Sequence, residues 1–313
     1  MIKVSAPGSL MLLGEHAVLS GCPALLVAHK GRIFVSLELG GEGCWVHSDF
    51  HGSFDLRSSE TPPAFSFVKE AFALYKTQMP ASLQLKIFSD FSEQIGFGSS
   101  AAVTVATLGA LWTYLNPEKD FDAVSRQFLW EKAKEVIQKV QGMGSGADAA
   151  ASLWGGVVLH NPITGSTQQI RADLPLVAVY SGIKRKTPEV VEVVRQRFQA
   201  FPHIWSSFLQ TSKELVDLAL PALLENNLER VGEIFDIAQG LMDAYGVNTP
   251  TLADLIFKLR TQPTIWGAKI SGSGLGDCVI GLGHLNHQTE KLFHTFPLFS
   301  IETTAKGLMR ETL

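Results

Sequence analysis

Three glycine-rich segments of this 313-residue chain end in side chains that could do chemistry. In the middle one, Ile95-Gly96-Phe97-Gly98-Ser99-Ser100-Ala101-Ala102, two glycines and two hydroxyls run into an apolar stretch from Val103 to Leu115. Glycine lets backbone approach a ligand without a Cβ in the way. The unpaired amides and positive dipole end of a following helix favour an anion, with nucleotide phosphate the natural candidate. A hydroxyl there could also reach a metal carried by that anion. The same residues equally suit a plain capped helix start, with Ser99 or Ser100 as the cap. No Gly-Lys-Ser or Gly-Lys-Thr follows, so this is not a Walker loop, and the third glycine of a dinucleotide fingerprint is missing.

Near the start, Ser5-Ala-Pro-Gly8-Ser9 leads through the apolar run Leu10–Leu13 to Gly14-Glu15-His16-Ala17-Val18. Glu15 and His16 directly after a buried strand could hydrogen-bond a small polar substrate, or simply form a polar turn. Toward the end, Ser271-Gly272-Ser273-Gly274-Leu275-Gly276-Asp277-Cys278 precedes a second apolar run and would also suit a hairpin. Three such loops exceed what turns need, because each costs backbone entropy on folding.

The elements that must hold these loops alternate in type. Strands are expected at Ala24–His29, Arg32–Leu39, Ser82–Phe88, Gly156–His160, Leu176–Tyr180, Ala268–Ile270, Asp277–Leu282 and Leu298–Thr303. Helices are expected at Pro63–Tyr75, Ser99–Leu115, Asp122–Gln138, Asp148–Leu153, Pro188–Phe201, Ile204–Glu225, Leu228–Tyr245, Pro250–Arg260 and Asn286–Phe296. This is an α+β pattern, with a boundary expected between 165 and 175, giving domains 1–170 and 171–313. Hydrophobic residues make up 46% of the chain and charged residues 18%, enough for a substantial core. The net charge of −4 argues against nucleic-acid binding. Cys22, Cys44 and Cys278 lack metal spacing and read as buried thiols. His29, His47, His51 and His160 read as strand or surface residues. No apolar run is long enough to span a membrane and no secretory pattern is present, so a cytoplasmic protein is expected.

In order, these segments resemble the motif set of the GHMP kinases (galactokinase, homoserine, mevalonate and phosphomevalonate kinases), most like the mevalonate kinases. Gly8 to Val18 matches the first motif, Gly96 to Ala102 the phosphate loop, Gly142 to Asp148 the segment with the catalytic aspartate, and Ser271 to Cys278 the third motif. Lys184-Arg185-Lys186-Thr187 resembles a substrate-contacting segment, and Ala244 to Pro250 the turn ahead of the third motif. The resemblance implies a first domain of the ribosomal-protein-S5-like fold and a ferredoxin-like second domain. It implies ATP-dependent phosphorylation of the 5-hydroxyl of mevalonate, with ATP and Mg²⁺ as cofactors and a homodimer as a state it leaves open. Gly96, Phe97, Gly98, Ser99, Ser100 and Ala101 would hold the nucleotide, with Ser100 also on the metal. Asp148 would take the hydroxyl proton. Glu15, His16, Arg185, Thr187 and Ser273 would bind the acceptor.

The chain departs from that pattern at several positions. Ser9 stands where many mevalonate kinases have lysine, and Lys184 or Lys186 could supply the missing charge. Ser92 and Gln94 stand where the phosphate loop usually opens with Pro and Gly. Ile137 occupies the position of a magnesium glutamate, for which Glu135 would need a shifted helix register. Gly-Ser-Gly-Ala-Asp148 and Gly-Asp-Cys278 are also similar to phosphomevalonate kinases, which makes phosphomevalonate the alternative acceptor. A weakly catalytic nucleotide- or metabolite-binding protein is the alternative of another class.

Overall fold

The computed structural model describes residues 1–312; Leu313, the last residue of the second expected domain, lies outside the described residues. In chain order the elements are β1 (Ile2–Leu13), β2 (Ala24–Leu39), β3 (Cys44–Ser48), β4 (Gly52–Asp55), α1 (Ser66–Ala73), β5 (Leu83–Ser89), α2 (Ser99–Leu115), α3 (Ala123–Gln141), α4 (Ala147–Trp154), β6 (Val157–His160) and β7 (Thr167–Ile170). There follow β8 (Leu176–Tyr180), α5 (Thr187–Phe198), α6 (Pro202–Leu224), α7 (Leu228–Tyr245), α8 (Pro250–Arg260), β9 (Ile265–Ser271), β10 (Cys278–Gly283), α9 (His287–Glu290), β11 (Leu298–Ile301) and β12 (Met309–Arg310).

Two sheets organise these elements. The first has the order β12-β1-β2-β5-β3-β4, with β6 and β7 branching from β2, and it is antiparallel except where β3 pairs β5. The second is antiparallel, in the order β11-β8-β10-β9. The near-continuous apolar sequence of α2 is explained by the burial of every residue from Ala101 to Thr113 except Val103, with the helix packed on the first sheet. Between the sheets, α6 and α7 share one core with Leu10, Leu12, Leu25 and Val27 of the first and Ala178, Ile280 and Leu282 of the second. The last strand, β12, returns to pair with β1.

Several expected boundaries shift for local reasons. Ala24–His29 and Arg32–Leu39 form a single strand, β2, whose pairing with β1 shifts register between Ala28 and Arg32. The helix expected at Asn286–Phe296 is one turn of α-helix followed by a 3-10 turn at Lys291–Phe293. Residues 2–7, 44–48, 52–55 and 167–170 form strands where none was expected, partly because β3, β4 and β7 are too short to show a period.

A close crossing sets the placement of the second sheet. A Cβ on Gly232 of α7 would lie 2.4 Å from the Trp266 backbone, and one on Gly267 would lie 2.1 Å from the Gly232 carbonyl. At that approach α7 covers the outer edge of β9, its Asp236 and Gln239 accepting from the amides of Ala268 (3.0 Å) and Ile270 (2.9 Å).

Candidate active site

The three glycine-rich segments, far apart in sequence, line one cleft between the two sheets. The phosphate loop comes first. Gly96 and Gly98 have φ of 73° and 72°, a left-handed backbone that other residues adopt only at a cost. Gly98 is the N-cap of α2, with no side-chain cap, so the expected serine cap is corrected: the turn ends in glycine, leaving the Ser99 and Ser100 hydroxyls in the cleft wall. The first-turn amides have no partner within a helix and point their donors outward. The Phe97 side chain is not part of the cleft lining. Its ring is buried against His29 and Phe299, and only its carbonyl serves the loop. That carbonyl accepts from Ser9 N (3.0 Å) and from His29 Nε2 (3.3 Å). Burial holds His29 at a pKa of about 4, so the ring is neutral and its Nδ1 is free to accept from Gly31 N at 3.1 Å.

Asp148 lies in the first turn of α4, after a left-handed Gly146 whose carbonyl accepts from Trp130 Nε1 at 2.9 Å. Its Oδ1 accepts from the Ser9 hydroxyl at 2.8 Å. The surrounding protein raises its carboxyl above the ordinary range, and the Ser9 bond works the other way.

Glu15 and His16 follow β1. The Glu15 carboxylate is buried and paired with the Lys269 ammonium of β9. The carboxylate lines the cleft with its charge already met by a protein partner. Burial raises Glu15 and lowers Lys269, while their mutual attraction opposes both shifts. Lys269 was not singled out from sequence, although a lysine inside the apolar run Gly267-Ala-Lys-Ile is itself the mark of a buried pair. His16, at φ 58°, donates from Nε2 to the Ser273 carbonyl at 2.9 Å, and burial lowers its pKa.

The third loop is held from outside. Asp277 N donates to the Ile183 carbonyl at 2.7 Å, Ser181 N to the Asp277 carbonyl at 2.9 Å, and Leu275 N to the Val247 carbonyl at 2.7 Å. Ser273 Oγ and Asp277 Oδ1 are buried with no hydrogen-bond partner among the described residues, and both residues line the cleft. Burial pushes Asp277 up to about 6, with Lys184 opposing. Arg185 and Thr187 line the same cleft at the start of α5, as does Lys184, whose ammonium is bonded to the Glu93 carbonyl rather than merely solvated. Lys186 lies outside the lining.

The carboxylate expected from a shifted α3 is not in the cleft. The helix keeps its register, Glu135 is exposed and bonded to Lys132, and Ile137 lines the wall instead. Among the described residues no cluster of three His, Cys, Asp or Glu could hold a metal. Oxygen donors such as the Ser100 hydroxyl fit a hard cation that arrives on phosphate oxygens and keeps its waters, not one held in a resident cage.

A glycine-rich loop opening a helix and a half-buried carboxylate, both lining one interlobe cleft, are the parts a small-molecule phosphotransferase needs. Residues 66–156 match the GHMP kinases N terminal domain and residues 219–292 the GHMP kinases C terminal domain. The chain is similar to the mevalonate kinase of Pyrococcus horikoshii, 31% identical over 304 residues covering 90% of this chain and 88% of that one. It is also similar to that of Methanothermobacter thermautotrophicus, 30% identical, covering 98% and 99%. Among solved structures, the Lin0012 protein from Listeria innocua superposes with a TM-score of 0.84 at 21% identity, covering 99% of both chains. The chain belongs to the GHMP kinase family and has its α+β fold. It is a phosphotransferase acting on an alcohol, with ATP as the family's phosphate donor. No helix among the described residues is long and apolar enough to cross a membrane.

Proposed function

We propose that this enzyme transfers the γ-phosphoryl group of ATP to the 5-hydroxyl of mevalonate. The observation that carries the reading is the convergence of the 96–101 loop, Asp148, Glu15-His16 and Arg185 on one cleft, in a chain about 30% identical to mevalonate kinases over most of its length.

Phosphoryl transfer asks a protein chiefly to position the partners and offset charge. The amides from Gly96 to Ala101 hold the phosphate tail. The Ser100 hydroxyl would hold Mg²⁺ arriving on the nucleotide, which when bound would supply further charge neutralisation. Asp148 accepts the proton of the acceptor hydroxyl, and a carboxylate raised by its surroundings is the stronger base for that task. Arg185 pairs with the acceptor's carboxylate, and Thr187, His16 and Ser273 bond its polar groups. Glu15 acts through its pair with Lys269, holding the first motif against β9.

Purified full-length protein incubated with labelled ATP, Mg²⁺ and either mevalonate or phosphomevalonate tests this directly. Phosphorylation of mevalonate is expected. Turnover of phosphomevalonate alone would reassign the acceptor, a second reading favoured by Asp277 in its Gly-Asp-Cys setting. Nucleotide binding with no turnover of either would leave a binding protein instead.

A further inference from the structure

Ser9 is joined to Asp148 across 139 residues of sequence, and the local backbone is shaped to permit the contact. The ladder between β1 and β2 shifts register between Pro7 and Ser9. Gly8, at that irregularity, packs so tightly that a Cβ would lie 2.2 Å from His29 Nε2 and 2.4 Å from the Phe97 carbonyl. On the other side, a Cβ on Gly98 would lie 2.3 Å from Ser9 Oγ. Two glycines therefore clear the space in which a serine, itself 1% exposed, donates its amide to the phosphate loop and its hydroxyl to the carboxylate.

We infer that Ser9 is the positioning residue for Asp148: its hydroxyl fixes Oδ1, so that Oδ2 faces the acceptor alcohol, and its amide sets that carboxylate in register with the phosphate loop. The inference rests on the reading of Asp148 as the proton acceptor. Among the described residues Ser9 is the one side chain bonded to Asp148. The other ionisable groups lining the cleft, Glu15, His16, Lys184, Arg185 and Asp277, make no hydrogen bond to it. A neutral hydroxyl orients a carboxylate without cancelling its charge, whereas a cation in the same place would lower its basicity. In this chain, then, the base is directed by a hydrogen bond and kept strong by its surroundings.

The test compares Ser9→Ala, Ser9→Thr and Asp148→Asn in the full-length enzyme with ATP, Mg²⁺ and mevalonate. Ser9→Ala removes a donor that favours the ionised carboxylate, so the acidic limb of the kcat–pH profile should move about one pH unit upward. At neutral pH kcat should fall at least about tenfold, while the KM values for ATP and mevalonate stay within roughly twofold. Ser9→Thr keeps the hydroxyl and should restore the limb. Direct ¹³C titration of the Asp148 carboxyl in nucleotide-free protein should show the same upward shift without relying on turnover. An unmoved limb and an unmoved titration in Ser9→Ala, with Asp148→Asn inactive, would overturn the role of Ser9 alone. An active Asp148→Asn would overturn the reading of Asp148 and the inference with it.

Discussion

Glu15 and Lys269 form an ion pair with side chains 4% and 0% exposed, one from the segment after β1 and the other from β9, so that it ties the two sheets together at the cleft. Such a pair has lost most of its hydration, and removing one partner strands the other charge. Glu15→Gln or Lys269→Met should therefore each destabilise the protein by about 3–5 kcal/mol. The double variant should cost far less than the sum, because no charge is then left unpaired. Equilibrium unfolding of the three variants in urea decides it, and additive losses would count against the pairing.

Asp277 carries a pH prediction. Its folded pKa of about 6 lies above its ordinary value of 3.8. As pH rises from 4 to 6 the unfolded chain releases this proton before the folded one does, so stability from this group declines across that window and stays low above it. Asp277→Asn should stabilise the protein at pH 7.5 by on the order of 1–2 kcal/mol, with the gain vanishing near pH 4. Unfolding curves at the two pH values provide the check.

Gly98 should not tolerate alanine. Its φ of 72° strains any side chain, and the new Cβ would lie 2.3 Å from Ser9 Oγ, beside the phosphate loop. Gly98→Ala should cost more than about 1 kcal/mol of stability and weaken ATP binding at least roughly tenfold. Titration with a fluorescent ATP analogue measures the second effect, and wild-type affinity would show that the loop does not cradle phosphate.

Arg185 lines the cleft from the exposed segment before α5. Loss of a charge-assisted bond to a substrate carboxylate should raise the KM for mevalonate about 10–100-fold in Arg185→Ala, with the KM for ATP nearly unchanged. Initial-rate kinetics with each substrate varied in turn separates the two. An equal rise in both would remove Arg185 from acceptor binding.

Much of this molecule was legible before any coordinates. The bounds of α2, α7 and α8 and of β8 follow the sequence signals residue for residue: Asn116 closes α2, Gly246 closes α7, Pro250 opens α8 and Pro175 precedes β8. The ordered glycine motifs pointed to the cleft because glycine is needed wherever backbone must approach a ligand or turn left-handed, a local requirement. Side-chain engagements were not legible in this way. Nothing local distinguishes a serine that bonds a carboxylate 139 residues away from one that caps a helix, or a glutamate paired with Lys269 from one left open to substrate. Nor could α3 reveal from its pattern alone that Glu135 faces water while Ile137 faces the cleft, because rotation about a helix axis is set by packing against its neighbours. Local chemistry in the chain thus determined the family, the loops and the elements that carry them. Which charges meet, which carboxylate stays free and which residue directs the base were decided by long-range packing, since those contacts exist only once two sheets and the helices between them have closed on one another.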